Sequence, residues 1–463
     1  MTLTSALRWN RLCVGLLLVS VFQSCDEFTQ TDMPITELNA VAVFDEMNTA
    51  NAAMANVYAQ IRDNGLLTGK TNGISKEMGL YADELTWYGN SNQSSANFYV
   101  NTLIPTHQTV ADWWNRGYSQ IYATNAIIEG VGMSEKLSQA QRNQLIGEAK
   151  FVRGLLHFYL LQLYGSIPYI TGTDYTVNKS VKRLPVVDVY GLIISDLEAA
   201  SVLLPAEYLS PERTRVNSYA AQALLARVYL YAGKWAEAAN SASAVLNHTG
   251  LYIWETDLNS VFLKESTTTI WQYAGRSATR NTDDGTTFIF TAVPPNSVAL
   301  SPSLLNAFEA GDQRKLNWTK GIGNGTSIYY HPNKYKKRGA STPQTEYTVV
   351  LRLAELYLIR AEARAHQGDL IGAKEDLNII RSRAGLESTT ATSDVELLNA
   401  ILHERQFEFF TEFGHRFMDL KRFGALNGAL ASKPDWNATE EHLPIPQSEL
   451  NLNPNLGSQN PGY

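Results

Sequence analysis

The sequence predicts a mostly α-helical fold, in which paired helical repeats support a loop-rich half with a few short strands. Three observations carry this. Apolar residues recur at three- and four-residue steps over most of the 463 residues. Two helix pairs break alike: Gly233 is followed by Ala238, and Gly368 by Ala373. Between those pairs, residues 250–346 turn to Gly, Thr, Ser, Asn and Pro. A long irregular stretch on a helical frame is usually functional.

From the N-terminus, Arg8 and Arg11 precede an apolar run over 12–22, too short to span a bilayer. Gln23, Ser24 and Cys25 follow, so residues 1–24 are predicted to be a lipoprotein signal peptide. Cleavage before Cys25 would leave that thiol acylated. Residues 25–38 are polar and are predicted to be a lipid-anchored tether. Residues 39–463 are predicted to be a single domain, with a loop-rich ligand region at about 79–106 and 250–346.

The periodicity predicts helices over 44–61, 113–128, 145–163, 187–204, 219–231, 235–246, 347–366, 370–383 and 395–413, then a charged stretch to Phe423. Gly165, with Pro168 beyond it, ends the third of these. Short β-like runs are expected at 270–273 and 286–291. The stretch Gly-Ile-Gly-Asn-Gly-Thr from Gly321 reads as a flexible turn, and 443–463 as an extended tail. The paired helices resemble the tetratricopeptide helix-turn-helix unit, where small residues let two antiparallel helices approach closely. The loop-rich stretch between the two copies argues against a continuous solenoid.

Composition excludes several functions. The formal charge is −7, from 38 basic and 45 acidic residues, which argues against a nucleic-acid partner. Two cysteines cannot form a disulfide scaffold or a Cys-rich zinc site. The eight His show no HExxH spacing, and there is no GxSxG or phosphate-cradling loop. No cofactor or metal is expected. Asp283 and Asp284 beside Gly285 offer oxygen ligands for Ca²⁺, but a plain turn is the simpler reading. Glu404 and Glu408 share a helix face and suit an acid–base pair. With Arg405, Arg416, Asp419, Lys421 and Arg422 close by, an ion-pair lattice is the preferred reading.

Several stretches together resemble the SusD/RagB family of Bacteroidetes nutrient-binding outer-membrane lipoproteins. They are Cys25 with Asp26 and Glu27; EAKFVRGLLHFYLLQLYGSIPYI from Glu148; LPVVDVYGLIISDLEAASVLLP from Leu184; AAQALLARVYLYAGKWAEA from Ala220; VLRLAELYLIRAEARAHQGDLIGAKEDLNIIRSRAGL from Val350; ERQFEFFTEFGHRFMDLKRFG from Glu404; and LPIPQSELNLNPNLGSQNPGY at the terminus. Phe413 departs from the family pattern, and the chain is short for the family. The resemblance implies four tetratricopeptide-like units and a surface-exposed, lipid-anchored place on the outer membrane. It also implies a partner, a SusC-like TonB-dependent transporter, which the protein would cap as a lid.

The expected function is therefore non-catalytic binding of a nutrient, most simply an oligosaccharide, for delivery to that transporter. Sugars lay flat C–H faces on Trp and Tyr rings and pair their hydroxyls with amides and guanidinium groups. Trp87, Tyr88, Asn90 and Asn92 form one candidate set, in a region where the family resemblance also implies ligand contacts. Trp271, Tyr273 and Arg276 form a second, and Trp318 with Tyr329 and Tyr330 a third. The alternatives are the same lid role for peptides, a helical-repeat scaffold without a ligand of its own, and a hydrolase.

Overall fold

The computed structural model describes residues 43–463. The signal peptide, Cys25 and the 25–38 tether lie outside the described residues.

Eight helices form the frame: α1 (Met47–Asp63), α2 (Ile74–Tyr81), α3 (Ser94–Val100), α4 (Gln108–Met133), α5 (Gln139–Tyr164), α6 (Val186–Leu203), α7 (Ser218–Tyr231) and α8 (Trp235–Leu246). After the loop-rich stretch come α9 (Leu353–His366), α10 (Leu370–Arg383), α11 (Asp394–Phe409) and α12 (His415–Arg422). From α4 to α11, each helix packs on the next. That includes α8 on α9, so the helical stack closes across the long insertion. The expected discontinuity exists in sequence but not in space.

Helix α5 is the centre of the frame. Ser138 and Gln141 make a capping box at its start, satisfying orphan donors at both positions. From Leu145 onward most of its side chains are buried, as a helix apolar on all faces requires. Each fully buried Phe151 or Leu155 contributes about 1.5–3 kcal/mol. The helix stops at Gly165, where φ is +71° and an added Cβ would strike the His442 ring.

Buried ion pairs tie the frame together. Arg153 on α5 holds Asp196 on α6 at 2.6 Å. Arg227 on α7 reaches Glu355 on α9 at 2.6 Å, spanning the insertion. Glu408 on α11 accepts from Arg314, Arg352 and Arg383, all buried. Burial alone would raise its carboxyl, but the three guanidinium groups hold it well below the usual carboxylate range. Glu404 pairs with Arg314 at 2.6 Å, and Arg405 with Asp419 at 2.7 Å. The charge cluster is thus a buried lattice whose carboxylates already face cations.

Among the described residues, six short strands make three antiparallel two-stranded sheets. These are β1 (Leu85–Trp87) with β3 (Val298–Leu300), β2 (Thr269–Gln272) with β6 (Val349–Arg352), and β4 (Thr319–Gly323) with β5 (Ile328–Pro332). The β2–β6 pair brings the two ends of the insertion together. This is why the helix expected over 347–366 begins only at Leu353. The β-like run at 270–273 overlaps β2. The run at 286–291 is corrected: Thr282 Oγ1 accepts from the Gly285 amide at 2.9 Å and caps a helix, Asp283–Phe288. Helix α11 ends at Phe409, short of the expected 413, because Thr411 and Phe413 take positive φ. The tail is not fully extended, since Gln447–Leu452 forms a helical turn.

Candidate functional site

Strand β1 places the first candidate set. Trp87 ends the strand opposite Val298, and the Tyr88 amide donates to Ser297 O at 2.7 Å. The Trp87 indole N–H donates to Asn90 O at 3.2 Å, so the loop folds back on its own ring. Gly89 makes that fold possible: an added Cβ would stand 2.2 Å from the Trp87 ring. Lys76 Nζ lies 5.0 Å from the ring centroid, adding a cation–π contact. Lys76 is itself buried and bonded to Ser95 and Thr71. Asn90 Oδ1 accepts from the Asn92 amide at 3.2 Å, an Asx turn that leaves both amide groups in solvent.

The β4–β5 hairpin brings part of the third set to the same place. Tyr329 meets Tyr88 edge to face, with ring centroids 5.2 Å apart. Tyr330 is half-buried and covers Gly321, where a Cβ would come within 3.0 Å of its ring. Tyr88 remains 37% exposed. Burial pushes its phenol up from the ordinary value, and the neighbouring Tyr329 and Tyr99 add to that. Tyr88 and Tyr329 thus form a partly exposed aromatic pair, with Trp87, Asn90 and Asn92 on the Tyr88 loop beside it, while Tyr330, next along β5, turns to the other face of the hairpin and packs against the core. Tyr99 on α3 and Lys76 on α2 support the Tyr88 loop and were missed in the sequence. Tyr99 falls in the stretch 79–106 expected to be loop, where the structure forms α3, and Lys76 gave no signal of burial.

The stretch from Gly321 is half strand and half turn. β4 ends at Gly323, and Asn324 Oδ1 accepts from the Thr326 and Ser327 amides to close the hairpin.

Two tryptophans are corrected from candidate platforms to core. Trp271 is fully buried between Phe151, Tyr58 and Tyr273, and its N–H donates to Thr214 O at 3.3 Å. Trp318 is fully buried against Phe262, with its N–H on Leu258 O at 2.9 Å. A surface-bound ring reaches neither. Tyr273 is also buried. Arg276 stays partly exposed but bridges Asp63 at 2.7 Å and Asp283 at 2.8 Å. Asp284 is buried on Thr348, its carboxyl pushed up to about 6 by burial. Neither aspartate is free to hold a cation. Among the described residues no group of three or more His, Cys, Asp or Glu gathers as a metal site would need.

The molecule is a helical-repeat frame that carries exposed aromatic and amide groups on its loops. Residues 45–230 match a family described as "Starch-binding associating with outer membrane", and residues 314–463 match the SusD family. The chain belongs to the SusD family. It is 28% identical to SusD-like protein P2 of Formosa agariphila, over 83% of this chain and 87% of that one. It is 26% identical to the starch-binding protein SusD of Bacteroides thetaiotaomicron, over 83% and 84%. A laminarin-binding SusD-like protein of solved structure superposes with a TM-score of 0.75 at 25% identity, covering 90% of this chain and 99% of that one. A SusD superfamily protein from Bacteroides vulgatus gives 0.78 at 21% identity, covering 91% and 100%. Among the described residues no helix is long and apolar enough to cross a membrane.

Proposed function

We propose that this protein binds an oligosaccharide on the ridge made by the Tyr88–Tyr329 pair and the adjoining Trp87 loop and hands it to a SusC-like TonB-dependent transporter, without catalysis. The observation that carries the reading is the meeting of Tyr88 and Tyr329. It joins two loops, far apart in sequence, into one platform with exposed amides alongside. Flat aromatic faces suit the C–H faces of sugars, and Asn90 and Asn92 suit their hydroxyls. Starch and laminarin binding by relatives favours a glucan. The buried lattice around Glu408 favours binding over hydrolysis, because its carboxylates are already committed to arginines. The family resemblance supports the lid role. The apolar run before Cys25 supports a lipid anchor on the outer membrane.

Peptide binding is the second reading. β4 pairs only with β5 among the described strands, so its outer main-chain edge is open to an added strand.

Calorimetry against matched panels of oligosaccharides and peptides, with each mixture checked for breakdown, separates these readings. Heat with a sugar and no cleavage is expected. Heat only with peptides overturns the ligand, and product release overturns the non-catalytic role.

A further inference from the structure

Away from the aromatic ridge, α4, the loop that follows α5 and the C-terminal tail enclose a groove of about 510 Å³. That volume lies within the range of small-molecule sites. Its floor is apolar, with Trp114, Pro168 and Leu456 buried beneath it. Trp114 and Tyr118 pack at 4.9 Å between centroids, and the Tyr118 hydroxyl donates to Pro168 O at 2.9 Å, so this floor is held rigidly. The lips differ from the floor. Tyr122 is 52% exposed on one side and Leu452 is 78% exposed on the other. Two large apolar groups left in water at the mouth of a groove gain from being covered.

Among the described residues one carboxylate lines this groove. Glu449 is half-buried, and its side chain makes no ion pair or hydrogen bond among the described residues. Burial pushes its carboxyl above the ordinary value, as expected for an acid without a countercharge. Among the described residues Lys179 is the one cation lining the groove, and it leans over the Tyr175 ring at 5.5 Å instead of meeting Glu449.

We propose that this groove is a second binding site, for a small organic ammonium compound with an aryl or alkyl body. The ammonium group would supply the countercharge Glu449 lacks and face the Tyr118 and Tyr122 rings, as cations do. The apolar body would cover the floor between Tyr122 and Leu452. This site does not depend on the glycan reading, since it shares no residue with the aromatic ridge.

Titration calorimetry of tryptamine into the full-length chain tests the proposal, with indole-3-ethanol as the neutral comparison. Tryptamine should bind at least tenfold more tightly than the alcohol. Glu449→Gln should abolish that preference while leaving the weak binding of the alcohol in place. Tyr122→Ala should weaken both, and Trp87→Ala should change neither. Equal binding of the two compounds, or a preference that survives Glu449→Gln, would overturn the ammonium assignment. No binding of tryptamine by a folded wild-type chain would overturn the site.

Discussion

The rings of Tyr88 and Tyr329 meet edge to face, 5.2 Å apart and at 88° between planes. Tyr88 follows β1 and Tyr329 lies in β5, so this contact fixes the geometry of the proposed platform. An aromatic pair of this kind contributes about 0.5–1.5 kcal/mol beyond its area. Tyr329→Ala is expected to release Tyr88 and weaken glycan binding several-fold, while the melting temperature moves by only a few degrees. Calorimetry with a parallel thermal melt separates the two effects.

Gly89 gives a sharper test of ring placement. Gly89→Ala puts a methyl group 2.2 Å from the Trp87 ring, which must turn away. Glycan affinity is expected to fall about tenfold, or about 1.4 kcal/mol, with the helical frame intact by circular dichroism. Unchanged affinity would mean that ligand does not use the Trp87 face.

The buried tryptophans behave differently. Trp271→Ala and Trp318→Ala each remove a fully buried side chain and are expected to cost about 3–5 kcal/mol in urea denaturation. The folded fraction should keep wild-type glycan affinity, since neither ring reaches the ridge.

Two buried carboxyls move stability with pH in opposite directions. Glu408 is held well below the ordinary carboxylate range by three arginines. Its contribution is therefore present above the ordinary carboxylate range and is lost as pH falls below it. Glu408→Ala leaves Arg383 without a carboxylate partner, while Arg314 keeps Asp312 and Glu404 and Arg352 keeps Glu412; it is expected to cost about 3–5 kcal/mol at neutral pH.

Glu84, just before β1, is pushed up to about 8 by burial and by the neighbouring Asp83. The folded state holds its proton more tightly than the unfolded chain. Its contribution is thus full below the ordinary range and fades as pH rises towards 8. Glu84→Gln should flatten that decline and raise stability at pH 9, relative to wild type, by on the order of 1–3 kcal/mol. Urea midpoints at pH 6 and pH 9 measure it.

The helical frame was legible because helix periodicity is local. The breaks at Gly233 and Gly368, both at positive φ, marked the paired helices directly. The continuity of α8 with α9 was not legible, because the insertion separating them in sequence folds out of the stack. The Trp87 loop could be read as a candidate from its aromatic and amide residues. Its union with Tyr329 could not, since β1 pairs with the distant β3 and the β4–β5 hairpin packs beside β3, both relations between segments far apart in sequence. For the same reason Trp271 and Trp318 looked like loop aromatics. Phe151 and Phe262, which cover them, lie elsewhere in the chain.

The most direct measurement titrates a glucan oligosaccharide series, of starch and laminarin type, into wild type and the Trp87→Ala/Tyr88→Ala double variant. Wild type is expected to release heat with one series and to lose at least tenfold in affinity in the double variant, whose melting temperature stays close to wild type. An undiminished affinity in a folded double variant would contradict the account.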